Sequence, residues 1–262
     1  MTKVLVGAIF CSEKLLVKRL GYKMDLLGFY RQCADLVRLD LKKQKMLLPP
    51  DSIAELCSQH HRKHRELAVK LSGNELSNIY ALQKAFPRSG TVNVDFNALE
   101  AAKKFAAQKA VALAVVTEKH FYCGEPSMLT GVAHLVDLPI IRWDFIMEPY
   151  QLMQSRLWGA DAVRIIVPLL DQIELAELYK KAMELELEII WEIHSAADVE
   201  RISAFEQSGI LYWEGEMLEL EQAESIVKNL PLSTPALFNG DCFSDNDLPE
   251  NLFAGKITFK NA

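Results

Sequence analysis

The chain has no CxxC pair, no GxGxxG or GxxxxGK[ST] loop, and no long apolar run. Each absence removes a class of protein. The five cysteines (Cys11, Cys33, Cys57, Cys123 and Cys242) are scattered and odd in number, which fits a reducing cytosol better than a disulfide framework. Without a glycine-rich phosphate cradle, the dinucleotide-binding and P-loop folds lose support. No window approaches the roughly 20 apolar residues of a membrane span. The opening "MTKVLVGAIFC" passes into the charged "SEKLLVKRL" without the longer apolar core and small-residue cleavage site of an export signal. A cytoplasmic protein that does not engage membranes is therefore expected. A net charge of −6 argues against nucleic acid as a partner. Internal repeats and low-complexity tracts are also missing.

What is present is a core. Half of the 262 residues are apolar, enough for one α/β barrel or two small domains. The first 75 residues are helical in pattern. "DLLGFYRQCADLVRLDLKKQKM" repeats apolar residues at helical spacing, and "PPDSIAELCSQHHRKHRELAVKL" opens on prolines with Asp51 or Ser52 as the expected N-cap. From Asn78 the texture changes to short apolar runs: "IYAL", "VALAVV", "LPIIRWDF", "DAVRIIV", "LEIIWEI", "GILYW", "PALFN" and "KITF". Helical stretches such as "NALEAAKKFAAQK" and "QIELAELYKKAMELE" lie between them. Strands separated by helices form parallel sheets, and this many units in so short a span favour a closed (β/α)8 TIM barrel. The expected organisation is an N-terminal helical extension over residues 1–75 and a barrel over 76–262, with the last β/α unit incomplete.

In such a barrel, function sits at the carboxyl ends of the strands. There, Glu192 and His194 in "WEIH" point the same way by alternation, and a buried glutamate can act as acid or base or be a buried partner of an Arg or Lys. Both readings stay open. Lys119 and His120 in "VTEKHFYCG" are loop residues whose simpler reading is solvation. His60 and His64, four apart, have a spacing that can hold a metal, but nothing completes the set and no metal is expected. In "IIRWDFI", Arg142 and Asp144 share one side of a strand and suit an ion pair, while Trp143 and Phe145 share the other. Alternation alone does not say which pair faces inward.

The run from "VTEKHFYCGEPSML" through "LPIIRWDFIMEPYQLMQSRLWGADAVRIIVPLLDQIELAELYKKAMELELEIIWEIHSAADVERI" resembles the indole-3-glycerol phosphate synthase family. That family's core reads roughly T-E-x-x-F-x-G, P-V-L-R-K-D-F-I, GADAVLLI and L-V-E-V-H. The resemblance covers roughly residues 24 to 255. It implies a (β/α)8 barrel with a helical extension over the mouth, and a cofactor-free carboxy-lyase that closes the indole ring in tryptophan biosynthesis.

It also implies where the chemistry should be, and there the chain departs. Trp143 stands at the general-acid lysine of R-K-D-F. Against I-A-E-V-K-R-A-S, Ala81 stands at the glutamate, Gln83 at the second lysine and Phe86 at the phosphate-binding serine. Lys84 is one residue off and so faces the other side of the strand. Glu214 stands near a functional asparagine, and Phe238 and Asn239 replace glutamate and serine, while Gly240 remains. The final "AGKITFKNA" shows no glycine-rich phosphate loop. Glu192 alone matches a catalytic position. The first expectation is a catalytically impaired relative. The alternative is an active synthase, or altered barrel chemistry on Glu192, His194, Glu214 and Asp241. Arg142, Asp144, Phe145, Asn239 and Gly240 are the expected ligand-binding set. A small molecule at the barrel mouth and a protein are the partners left open. A further expectation, that "KVLVGAIFCSEKLLVKRL" supplies the missing final unit with Gly7 at the phosphate loop, would make the barrel circularly permuted.

Overall fold

The computed structural model describes residues 25–59, 62–73, 75–87, 89–205, 209–214, 219–230, 234–242 and 252–259. Asp25 accepts the Gly28 amide at 2.6 Å and starts α1 (Leu26–Leu47), and α2 (Pro50–Ser58) follows at once. The first residue of α2 is Pro50, preceded by Pro49 at the cap, with Asp51 in the first turn. The expected cap at Asp51 or Ser52 is thus two or three residues late. Proline at the first helical position supplies the right φ and has no amide to waste, and an acid there meets the positive helix end. Residues 62–66 are irregular rather than helical as the histidine spacing suggested, and His60 lies outside the described residues. A short α3 (Leu67–Lys70) completes the extension.

Eight parallel strands then close into one barrel: β1 (Ser77–Leu82), β4 (Ala112–Val116), β5 (Ile140–Trp143), β6 (Ala162–Ile166), β7 (Glu188–Ile193), β8 (Ile210–Trp213), β9 (Ala236–Asn239) and β10 (Gly255–Thr258). A small hairpin of β2 (Ala85–Phe86) and β3 (Thr91–Val92) follows β1. The crossovers are α4 (Ala98–Ala107), α5 (Pro126–Leu135), α6 (Pro149–Trp158), α7 (Gln172–Glu184), α8 (Ala196–Ile202) and α9 (Leu220–Lys228). Their starts are written locally. Asn97 accepts from Leu99 and Glu100 ahead of α4, and Asp171 with Glu174 forms a capping box ahead of α7.

Closure comes from β1 pairing with β10, Ser77 opposite Gly255 through Tyr80 opposite Thr258. All eight positions are filled between residues 77 and 258. This overturns the permuted barrel, whose residues 3–8 and Gly7 lie outside the described residues. No described helix is long and apolar enough to cross a membrane. Cys33 and Cys57 are free thiols, whereas Cys123, half-buried in the loop after β4, is disulfide-bonded.

Two apolar layers result. Inside the barrel, Ile79, Ala81, Ala114, Ile190, Leu237 and Ile257 pack with Trp143 and Tyr212. Outside it, the alternate strand residues meet the helices. The extension uses both ends. Tyr30 of α1 packs on Phe145 at the carboxyl end of the barrel, while Leu67 and Leu71 enter the interior cluster. At that opposite end Glu188, the first residue of β7, accepts the Leu67 and Ala68 amides at 2.5 and 2.8 Å.

Candidate functional site

Strand alternation sorts "IIRWDFI" into two faces, and the structure assigns them. Trp143 points into the barrel, its ring 5.0 Å edge-on from Tyr212 and 5.5 Å from Phe259. The small neighbours Ala81, Ala114 and Ala162 leave room for so large an indole. Phe145, beyond the strand end, turns over the mouth beneath Tyr30 at 5.3 Å.

Arg142 and Asp144 face away from the mouth. They form a buried ion pair of 2.8 Å behind the strand. Thr117 donates to Asp144 at 2.6 Å, and Arg142 donates to the Gln151 carbonyl at 3.0 Å and the Ser155 hydroxyl at 3.1 Å. Its guanidinium lies 4.5 Å from the Trp158 ring. Both residues border a small cleft of about 70 Å³ between α1 and α6, lined also by Asp40, Gln44, Lys119 and Gln154. Lys119 and His120 fasten α1 to this wall through Asp40, at 2.8 and 2.5 Å.

The charged centre of the mouth is Glu192. It is fully buried. Arg164 of β6 donates to one carboxylate oxygen at 2.5 Å, and His194 bonds the other at 2.9 Å. Burial opposes ionisation of Glu192, but Arg164 and His194 outweigh it and hold the carboxyl below its usual range. The Arg164 guanidinium lies within an aromatic box, 4.7 Å from Trp143, 5.1 Å from Tyr30 and 5.6 Å from Phe145. Cation–π attraction in a desolvated box of this kind is worth about 2 kcal/mol.

Beside this pair, Glu214 accepts from the Tyr212 hydroxyl at 2.6 Å and the Asn239 amide at 2.9 Å. Burial, then the neighbouring Glu192 charge, pushes its carboxyl up to about 7. The same burial raises the phenols of Tyr30 and Tyr212, so both are neutral donors. Asn239 also accepts the Asp241 amide at 3.0 Å, and the Gly240 amide donates to the Ile257 carbonyl at 2.9 Å. Gln83 is buried and donates to the Ala85 carbonyl at 2.9 Å. Ala81 faces the interior, while Phe86 sits in the hairpin.

The geometry thus brings together Trp143, Phe145, Glu192, His194 and Glu214, joins Asn239 to them, and leaves Arg142 and Asp144 outside. Arg164 and Tyr30 were missed by reading the sequence. Arg164 had a signal, a lone arginine inside the apolar "AVRIIV". Tyr30 had none, because helical periodicity does not tell which barrel end a helix crosses. Among the described residues no three His, Cys, Asp or Glu side chains converge to hold a metal ion. His64 instead lies at the barrel floor, 3.5 Å from Glu188 and 4.0 Å from Asp161.

Similarity to known proteins agrees with this architecture. The phosphonopyruvate hydrolase complex with oxalate and Mg²⁺ has the same fold, with a TM-score of 0.55 over 74% of this chain and 79% of that one, at 15% identity. Sequence similarity is more specific. The indole-3-glycerol phosphate synthase of Dehalococcoides mccartyi is 35% identical over 166 residues, 62% of this chain and 63% of that protein. The synthase of Campylobacter jejuni is 32% identical over 164 residues, 62% and 64% of the two chains. This chain therefore spans about 63% of the length of the relatives it matches. The model of the indole-3-glycerol phosphate synthase family matches residues 33–210. With that match over more than half its length, on a closed eight-stranded parallel barrel, the chain belongs to the indole-3-glycerol phosphate synthase family.

Proposed function

We propose that this chain is a catalytically impaired or inactive member of its family, with a barrel mouth closed by its own side chains. The observation that carries this reading is Trp143. Where the family resemblance implies a lysine acid, an indole is wedged against Tyr212 and Phe259, and the remaining carboxylate, Glu192, is bound on both oxygens by Arg164 and His194.

Ring closure needs a cationic acid at the carbonyl and a second donor for the departing hydroxyl. Neither Trp143 nor Gln83 can release a proton at neutral pH, and the Gln83 amide is already engaged. Each general acid or base is typically worth about 10²–10⁴ in rate, so the combined losses leave little turnover. Phe86 and Phe238, at positions the resemblance gives to serine and glutamate, weaken the hold on substrate further. A steady-state assay on the family's carboxyphenylamino-deoxyribulose phosphate tests this. Turnover at least about 10³-fold below an active synthase is expected, and turnover within tenfold would overturn the reading. Failure to complement a tryptophan auxotroph is the matching result in cells.

One observation favours a second reading, a barrel enzyme with altered chemistry. Glu214 titrates near 7 beside the ionised Glu192, the paired arrangement of acid and base that proton transfer uses. Under that reading Glu192→Gln and Glu214→Gln each abolish whatever activity a substrate screen finds, and activity unchanged in both would remove it.

A further inference from the structure

We infer that Trp143 and Arg164 are one coupled exchange: the cation that a buried Glu192 requires is carried on β6 instead of β5, so Arg164 is a positioning residue for Glu192 and a built-in occupant of the mouth. The inference deepens the reading of an impaired barrel, but its test does not depend on activity.

A carboxylate with no exposure must be paired and hydrogen-bonded or give up its charge. The groups facing Glu192 are Arg164 on β6, His194 beside it after β7, Tyr30 on α1, and Tyr212 and Glu214 at the end of β8, while Tyr122, after β4, faces Arg164. Only Arg164 among them carries a permanent positive charge. It does so from a strand whose other residues are apolar and where the family pattern GADAVLLI has leucine.

Space links it to Trp143. The two side chains rise from neighbouring strands into the same volume, with the guanidinium 4.7 Å from the indole. A lysine on β5 would bring its ammonium against that guanidinium, and a leucine on β6 would leave the indole without its cation. At these two positions the family pattern, lysine on β5 with leucine on β6, places a single cation near the buried glutamate. The pattern of this chain, Trp143 with Arg164, does the same. The mixed combinations give two cations or none.

The test compares apparent thermal midpoints of W143K, R164K, R164M and W143K/R164M with the parent chain from pH 5 to 8.5. Removing the cation in R164M lowers the midpoint by about 10 °C at pH 8. The loss is smaller at pH 5, because Glu192 without its cation then takes up a proton and surrenders it as pH rises. R164K keeps the charge and stays near the parent. W143K alone falls, from two cations in contact. W143K/R164M recovers more than half of the R164M loss and removes its added pH slope. A merely space-filling role for Arg164 would lower the midpoint without that slope. The inference is overturned if the double variant is no better than R164M, or if R164M shows the parent's pH dependence. Should R164M not fold, E192Q/R164M replaces it, since removing both charges restores folding if charge matching is what Arg164 supplies; failure of that pair to fold overturns the inference.

Discussion

Glu214 shows how a single carboxyl sets a pH dependence. Held at about 7 by burial and by Glu192, it binds a proton more tightly folded than unfolded. Its contribution to stability is fully present below the ordinary carboxyl range and is lost as pH rises toward 7. Thermal midpoints across pH 5 to 8 should therefore fall less with pH in Glu214→Gln than in the parent. Arg142 and Asp144 make the contrasting case, since their ion pair is buried behind the strand and away from the mouth. Asp144→Ala leaves a buried guanidinium unpaired and should cost about 3–5 kcal/mol in urea unfolding, with no change in the environment of Trp143. The alternation in "IIRWDFI" separated these two pairs correctly, but which pair looked inward was not legible. A barrel strand is buried on both faces, and hydrophobicity then carries no sign. Arg164 was legible only as an anomaly, since its partner lies 28 residues away.

At the scale of elements, the eight barrel strands were readable because each is a short apolar run bounded by helix caps that the chain spells out, such as Asn97 and Asp171. The extension was readable as helix, but not its contacts. Lys119 and His120, read as solvated loop residues, turn out to bind Asp40 of α1. Partly exposed pairs like these contribute about 1 kcal/mol or less, so α1 is held mainly by apolar contacts, Tyr30 on Phe145 and Leu41 with Ile53 and Tyr150. Tyr30→Ala should cost about 3–5 kcal/mol. It should also uncover the aromatic box, raising acrylamide quenching of tryptophan fluorescence. Unchanged quenching would mean that the mouth is covered by something other than Tyr30.

For the whole molecule, closure rests on the pairing of β1 with β10, from opposite ends of the barrel sequence. Ending the chain before Gly255 would open two parallel edges, β1 and β9, each a row of unpaired backbone groups. Size-exclusion chromatography of such a truncation should show aggregate in place of a single species. A monodisperse product with a cooperative melt would show that closure is dispensable. Sequence pattern reached this level well, because eight strand–helix alternations admit few topologies. It could not reach the charge arrangement inside the barrel, which depends on which side chains meet across strands.

The extension has one more consequence. A single stretch of chain caps both openings of the barrel: Tyr30 sits on the mouth, and Leu67 and Leu71 stopper the floor, where Arg65 and Glu188 tie it down. It works as a clamp with two jaws on one spine, α2 running along α6 between them. Lifting one jaw pulls on the other. Hydrogen exchange at the Leu67 and Ala68 amides should therefore quicken when Tyr30 is truncated at the far end, a mechanical link between the two ends of a barrel whose strands need not move at all.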